Sequence, residues 1–249
     1  MIHVVKKRGF TIVELMLSMT FISALLLAIA TMTMRMTSMY VKGNTMKDLN
    51  AASRTINDDF TRTFNSMATT PTWQGSYTSV KSGADYVSLL DGSAGAFCTG
   101  EYSYLWNGHT ILNDKALNKT VPIRFNGAAN SDSSVRLVKV KDPAKGFCSS
   151  KSNWAKIPQD DTVTNLLPSS ESGLMLYDIK FISTDGVPLY DASTNQRVIN
   201  ISYILGTKDD GNNGVINTSS MSCDPTNSQG MQDYCAINKF ELTVRTLGE

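Results

Sequence analysis

One carboxylate and one peptide bond carry most of the chemistry legible in this chain of 249 residues. Glu14 stands in an apolar stretch, FTIVELMLSMTFISALLLAIATMTM (residues 10–34), that carries no other charge before Arg35. A carboxylate this far into an apolar helix costs on the order of 3 kcal/mol to insert in a bilayer, and by default it marks a site with a specific partner. Its own helix is expected to offer none. Four residues before Glu14, the pair Gly9-Phe10 follows three basic residues, Lys6, Lys7 and Arg8. A cut between Gly9 and Phe10 creates a new α-amine, and the amine of a neighbouring subunit is then a counter-charge for Glu14. A buried pair of that kind fixes register more surely than it adds stability.

Other chemistry is sparse. The two histidines are His3, ahead of the basic cluster, and His109, in the turn-like Trp106-Asn107-Gly108-His109. A lone surface histidine reads as structural, and no G-x-S-x-G, H-E-x-x-H or Walker loop is present. No catalytic residue, cofactor or metal is therefore expected. The stretch 208–214, KDDGNNG, offers oxygen ligands but lacks the spaced acids and final Glu of an EF-hand, so it reads as an exposed turn.

Four cysteines, Cys98, Cys148, Cys223 and Cys235, all follow the apolar run, and none forms a C-x-x-C pair. An even count on the far side of a span points to disulfides. Three connectivities are open. Cys98–Cys148 with Cys223–Cys235 is the preferred one, and free buried thiols are the alternative.

The net charge of +1 argues against a dedicated nucleic-acid binder. Arg124, Arg136, Lys139, Lys141, Lys145, Lys151 and Lys156 make the middle of the chain locally basic, and Trp106 or Trp154 could stack on bases. Cations alternating along residues 135–140 read instead as the solvated face of a strand, so nucleic acid is not an expected partner.

Residues 15–34 are uncharged, and at ~1.5 Å per residue they cross a hydrocarbon core of ~30 Å. That is longer than the apolar core of a secretory signal. The positive-inside bias places Lys6, Lys7 and Arg8 in the cytoplasm and everything beyond Arg35 outside. Past Arg35, Met39, Met46, Leu49, Ser53, Ile56, Phe60, Phe64 and Met67 follow spacings of three and four, an amphipathic helix. Thr69-Thr70-Pro71-Thr72 supplies the stop, giving a rod over residues 10–65 of roughly 80 Å.

After Pro71 the composition shifts to Ser, Thr, Gly and Asn with short β-branched and aromatic runs. Strands are predicted at residues 86–90, 103–106, 121–125, 135–140, 174–183, 197–206 and 239–246. Met175, Tyr177, Ile179 and Phe181, and again Phe240, Leu242 and Val244, alternate as on a sheet with one buried face. Residues 141–172 and 209–233 lack periodicity and read as long surface excursions. The predicted fold class is α+β, a long N-terminal helix whose second half packs on an antiparallel β-sheet.

KKRG followed by FTIVELMLSM resembles the class III leader of type IV prepilins and type II secretion pseudopilins: basic residues, Gly9 last in the leader, Phe10 first in the mature chain, Glu14 fifth. The resemblance implies a leader at 1–9, a membrane and filament-core helix at 10–34, its amphipathic continuation at 35–67 and a pilin head at 72–249. It implies cleavage after Gly9 by a prepilin peptidase, N-methylation of Phe10, and pairing of Glu14 with the amine of an adjacent pilin during assembly. The inner-membrane pilus assembly machinery would be a further partner. A single-pass inner-membrane protein that moves into an extracellular pilus follows, with the head outside the cytoplasm and the Cys223–Cys235 region facing outward. Thr31 stands where many major pilins carry proline, and the head is large, so the layout is most similar to minor pilins of the PilW-like and PulJ-like class. A type II secretion pseudopilin and a tip adhesin or DNA-binding minor pilin are the alternatives.

Overall fold

The computed structural model describes residues 11–67, 86–89, 93–112, 120–129, 135–167, 173–181, 189–191, 196–208, 216–224 and 235–247. The leader charges Lys6, Lys7 and Arg8, the Gly9-Phe10 junction, the expected stop at 69–72 and residues 209–214 of the candidate calcium turn lie outside them.

Helix α1 runs Ile12–Asn65, 54 residues, or roughly 80 Å. Proline is absent from it, and its Ser and Thr hydroxyls are spent on their own helix. Ser18, Thr20, Ser23, Thr31, Thr33, Thr37 and Thr45 each donate to a carbonyl three or four residues earlier. Such back-bonding hides polar groups along an apolar surface. The helix stops at Ser66, whose N–H reaches Arg62 O at 3.3 Å, ahead of the proline expected to end it.

Burial starts late along this rod. Leu49, Ser53, Ile56, Phe60, Thr63 and Phe64 are buried, and Met67 follows them into the core. Met39, assigned by spacing to the same stripe, is 74% exposed. It lies too far toward the N-terminus to reach the sheet, so the packed face begins at Leu49.

Among the described residues the head holds two larger antiparallel sheets, which with α1 make the fold α+β. The first has the order β1 (Tyr86–Ser88), β2 (Ala94–Cys98), β3 (Tyr102–Asn107), β4 (Leu137–Lys141), β5 (Val163–Asn165). In the second, β8 (Gln196–Thr207) pairs on one side with β11 (Ile237–Arg245) and on the other with β6 (Leu174–Phe181) and β7 (Leu189–Asp191). A small hairpin, β9 (Ile216–Asn217) with β10 (Ser222–Cys223), stands apart, and a short helix α2 (His109–Leu112) follows β3.

The main core joins α1 to both sheets. Phe60 is its hub, meeting Tyr104 at 4.9 Å, Phe181 at 5.8 Å, Phe64 at 5.9 Å and Tyr203 at 6.2 Å between ring centroids, all edge to face. This is the favoured arrangement for aromatic quadrupoles. Ile199, Ile201, Tyr203 and Leu205 of β8 fill the same core, with Phe240, Leu242 and Val244 of β11 opposite in register. The other face of the first sheet carries a second core, where Ala94, Ala96, Cys98, Leu105, Val138 and Val140 pack under Ile123, Cys148, Trp154 and Ile157.

Several sequence expectations are corrected here. Residues 121–125 form no strand; Phe125 makes one isolated bridge to Ile157 while Val121 and Ile123 plug the second core. Of the stretch 141–172, the described residues 141–167 are no loose excursion, for they carry helix α3 (Gly146–Ser149), a 3-10 turn at Lys151–Asn153 and β5, and they bury Trp154, Ile157, Leu166 and Leu167. In β6 the register shifts between Leu176 and Asp178. That bulge breaks the expected alternation: Leu174, Leu176, Ile179 and Phe181 face the main core, while Met175 belongs to the second. Extra residues of this kind re-aim every side chain beyond them.

Gly95 of β2 illustrates how tightly the first sheet is built. A Cβ there would collide with the indole ring of Trp106, which is itself 1% exposed. Gly95→Ala is expected to destabilise the head by about 1–3 kcal/mol through overpacking. Urea unfolding followed by tryptophan fluorescence measures this as a lower midpoint, and an unchanged midpoint would contradict it.

Candidate functional site

Thr11 is the N-cap of α1, with an extended backbone that directs its hydroxyl at the first turn. Its Oγ1 accepts from the Glu14 N–H at 3.3 Å, and Glu14 Oε2 accepts from both the Thr11 N–H and the Thr11 hydroxyl at 3.0 Å. This is a reciprocal capping box, in which two orphan donors of the helix start are satisfied. The expectation that the helix offers Glu14 no partner is therefore corrected. Its carboxylate also sits at the positive end of the helix dipole, where an anion is favoured. The Thr-x-x-Glu spacing was readable from residues 11–14 and signals this cap.

Around and beyond Glu14 the helix is bare. Leu17, Phe21, Leu27 and Met34 are each exposed by 65% or more, and every residue from 12 to 37 is exposed. Helix α1 is the one described helix long and apolar enough to cross a membrane. A water-exposed stripe of this extent is far larger than a monomeric soluble protein tolerates.

Two polar locks hold the packed half of α1 to the head, one on either side of Phe60. Tyr203 Oη lies 3.0 Å from Ser53 Oγ and donates to Asn57 Oδ1 at 2.7 Å. Tyr104 Oη donates to Asp59 Oδ2 at 2.6 Å, and Lys139 Nζ donates to Asp59 Oδ1 at 3.0 Å and to Thr63 Oγ1 at 2.6 Å. Burial pushes the Tyr203 phenol up to about 12. Burial, reinforced by the Asp59 charge, raises that of Tyr104 further. Both phenols thus remain neutral donors over the physiological pH range. These locks were not visible in sequence, since they join residues up to 150 positions apart.

The cysteines pair as Cys98–Cys148 and Cys223–Cys235. The first joins β2 to α3 inside the second core, and Asp142 fixes its approach. That carboxylate accepts from Ser103 Oγ at 2.8 Å, Gly146 N at 2.9 Å and Phe147 N at 3.1 Å, orienting the turn that carries Cys148. The second bond ties the exposed Cys223 of β10 to the buried Cys235 just before β11.

Several of the features weighed for nucleic acid take other roles, while Lys141, Lys151 and Lys156 are exposed. Trp106 and Trp154 are each 1% exposed and have no face to offer a base. Lys139 is held by Asp59 and stands over the Tyr102 ring at 4.3 Å. Arg136 is 5% exposed and donates to Leu174 O. Arg136 and Lys139 are therefore packed groups and not a solvated face, whereas Lys141 at the end of β4 is exposed. His109 stacks on Tyr177 at 4.4 Å. Comparison of the chain with family models, with curated proteins and with solved structures finds no match.

Proposed function

We propose that this protein is a minor type IV pilin, a non-catalytic structural subunit that initiates or caps pilus assembly after removal of its leader. The observation that carries the reading is the division of one unbroken helix into a bare apolar half bearing Glu14 and a half locked to a disulfide-bonded head. A membrane stores such an apolar half, and a bundle of like helices buries it. The resemblance of residues 6–19 to a class III leader supplies the remaining steps. Prepilin peptidase cuts after Gly9, Phe10 is methylated, and the subunit waits as a single-pass inner-membrane protein with its head outside the cytoplasm. Other pilin subunits and the inner-membrane assembly machinery then draw it into the filament.

The mass of the mature N-terminus tests the first step. Protein purified from its own host is expected to begin at methylated Phe10, and replacing Gly9 with a bulky residue should leave the leader attached. A mature chain beginning elsewhere would remove the prepilin reading. A pseudopilus of a type II secretion system would use the same helix, and the filament from which the subunit is recovered separates the two.

A further inference from the structure

The sheet of β6, β8 and β11 gives one face to α1; at one end of its other face Met175 packs in the second core, and among the described residues the rest of that face is at least partly open. Register defines that outer face. Ile204 of β8 lies between Asp178 of β6 and Lys239 of β11, and two residues along, Ser202 lies between Lys180 and Glu241. Strands stand ~4.8 Å apart and alternate residues ~7 Å apart. The four charges therefore mark the corners of a rectangle of roughly 10 by 7 Å, with like signs on the diagonals. Asp178 reaches this face only because of the bulge after Leu176, which turns both residue 177 and residue 178 outward. Lys180, Lys239 and Glu241 are half or more exposed.

Stability does not account for the arrangement. The charges pair along their own strands, Lys180 with Asp178 at 2.7 Å and Lys239 with Glu241 at 2.5 Å. Exposed pairs of that sort contribute ~0–1 kcal/mol. Between them sits Ile204, a half-buried apolar side chain at the centre of the four charges. An apolar centre within a charged rim is the layout of a contact patch.

A rectangle with alternating signs has a property no single-sign patch has. Rotated by a two-fold axis lying across the strands, it meets its own image with every charge opposite one of reverse sign: Asp178 against Lys180, Lys239 against Glu241. The hairpin β9–β10 decides the direction of the axis. Ile216 packs over Gly206 and Tyr177 at one end of this face, where a Cβ on Gly206 would lie 2.9 Å from the Ile216 side chain. An axis across the strands sets that raised end over the flat row of Asn200 and Thr243 in the other molecule, whereas an axis along β8 would set hairpin against hairpin.

We propose that the outer face of the β6–β8–β11 sheet is a self-complementary contact surface for a second copy of this chain, centred on Ile204 and Ser202. Such an isologous contact is closed by its own symmetry. It uses a surface remote from the apolar half of α1 and so goes beyond the assembly role proposed above.

Cross-linking of the full-length protein in detergent tests the contact. Protein carrying Ser202→Cys is mixed with protein carrying Ile204→Cys and treated with a short bismaleimide. The two positions face each other across the proposed axis, so the product joining the two variants is expected at several times the yield of either variant cross-linked to itself. Adding Lys180→Glu and Lys239→Glu to both partners makes all four corners acidic and should lower that yield at least tenfold. Pairing this acidic form with one carrying Asp178→Lys and Glu241→Lys should restore it, which a merely misfolded variant could not do. Failure to form the mixed product, or a yield indifferent to charge reversal, overturns the proposal. Association through α1 is unchanged in every variant and would appear as that second outcome.

Discussion

Glu14→Ala is expected to leave the protein inserted, cleaved and stable in the membrane, yet to lower its amount in sheared filaments at least tenfold. The reasoning begins with cost. Removing a carboxylate from an apolar helix eases insertion by on the order of 3 kcal/mol, so a loss of incorporation cannot come from poorer membrane entry. Two roles for the side chain remain. One is the cap, in which Glu14 Oε2 accepts from Thr11 at 3.0 Å; the other is a charge pair with the amine of an adjacent subunit. Glu14→Gln separates them, because Gln serves as well as Glu at the third position of a capping box but carries no charge. If pairing is the role, Gln fails as Ala does. Quantitative mass spectrometry of sheared filaments and of membranes measures both variants. Wild-type incorporation of Glu14→Ala would sink the assembly reading, and rescue by Gln would reduce Glu14 to a helix cap.

Phe60→Ala is expected to cost about 3–5 kcal/mol, the range for deleting a buried aromatic side chain. Few sites in the described residues should respond more strongly. Phe60 is fully buried and makes edge-to-face contacts with rings from α1, β3, β6 and β8. Its loss leaves a cavity where helix and both sheets meet, between the two polar locks. With total stabilities of ~5–15 kcal/mol typical of domains, the variant should show a markedly lower urea midpoint by tryptophan fluorescence of the full-length protein in detergent. The exposed Phe21, 70% accessible on the same helix, should tolerate the same change without shifting that midpoint. Equal midpoints for Phe60→Ala and the parent would contradict the packing described.

These outcomes show which features were open to reading in one dimension. The helix was legible because its signals are local: an apolar run, stripe residues from Leu49 to Phe64 at spacings of three and four, and no proline; the Thr-x-x-Glu cap is as local but was passed over in favour of a partner in another subunit. The alternation of Phe240, Leu242 and Val244 was equally local and matches their place against the main core. The strand β2 was missed because Ala94-Gly95-Ala96 carries little β-propensity. Its small residues are explained only by what covers them, Trp106 on one side and the second core on the other. The bulge in β6 was missed because it is a property of pairing with β8 and leaves no mark in Met175, Tyr177, Ile179 and Phe181 as a string. Lys139 was misread for the opposite reason: its alternation is that of a solvated face, and only Asp59, 80 positions earlier, reveals it as an internal ion pair.

The head leaves and rejoins the rod at one point. Leu247 N–H donates to Met67 O at 3.2 Å, so the last described turn of the chain closes onto the residue just past α1. Tension applied along a filament of such helices would travel through the continuous backbone of α1 and never pass through the sheets. In that arrangement the head would be a side load, and drag on it would be borne in shear where α1 packs on the sheets, from Leu49 to Phe64 and at the locks of Ser53 and Asp59.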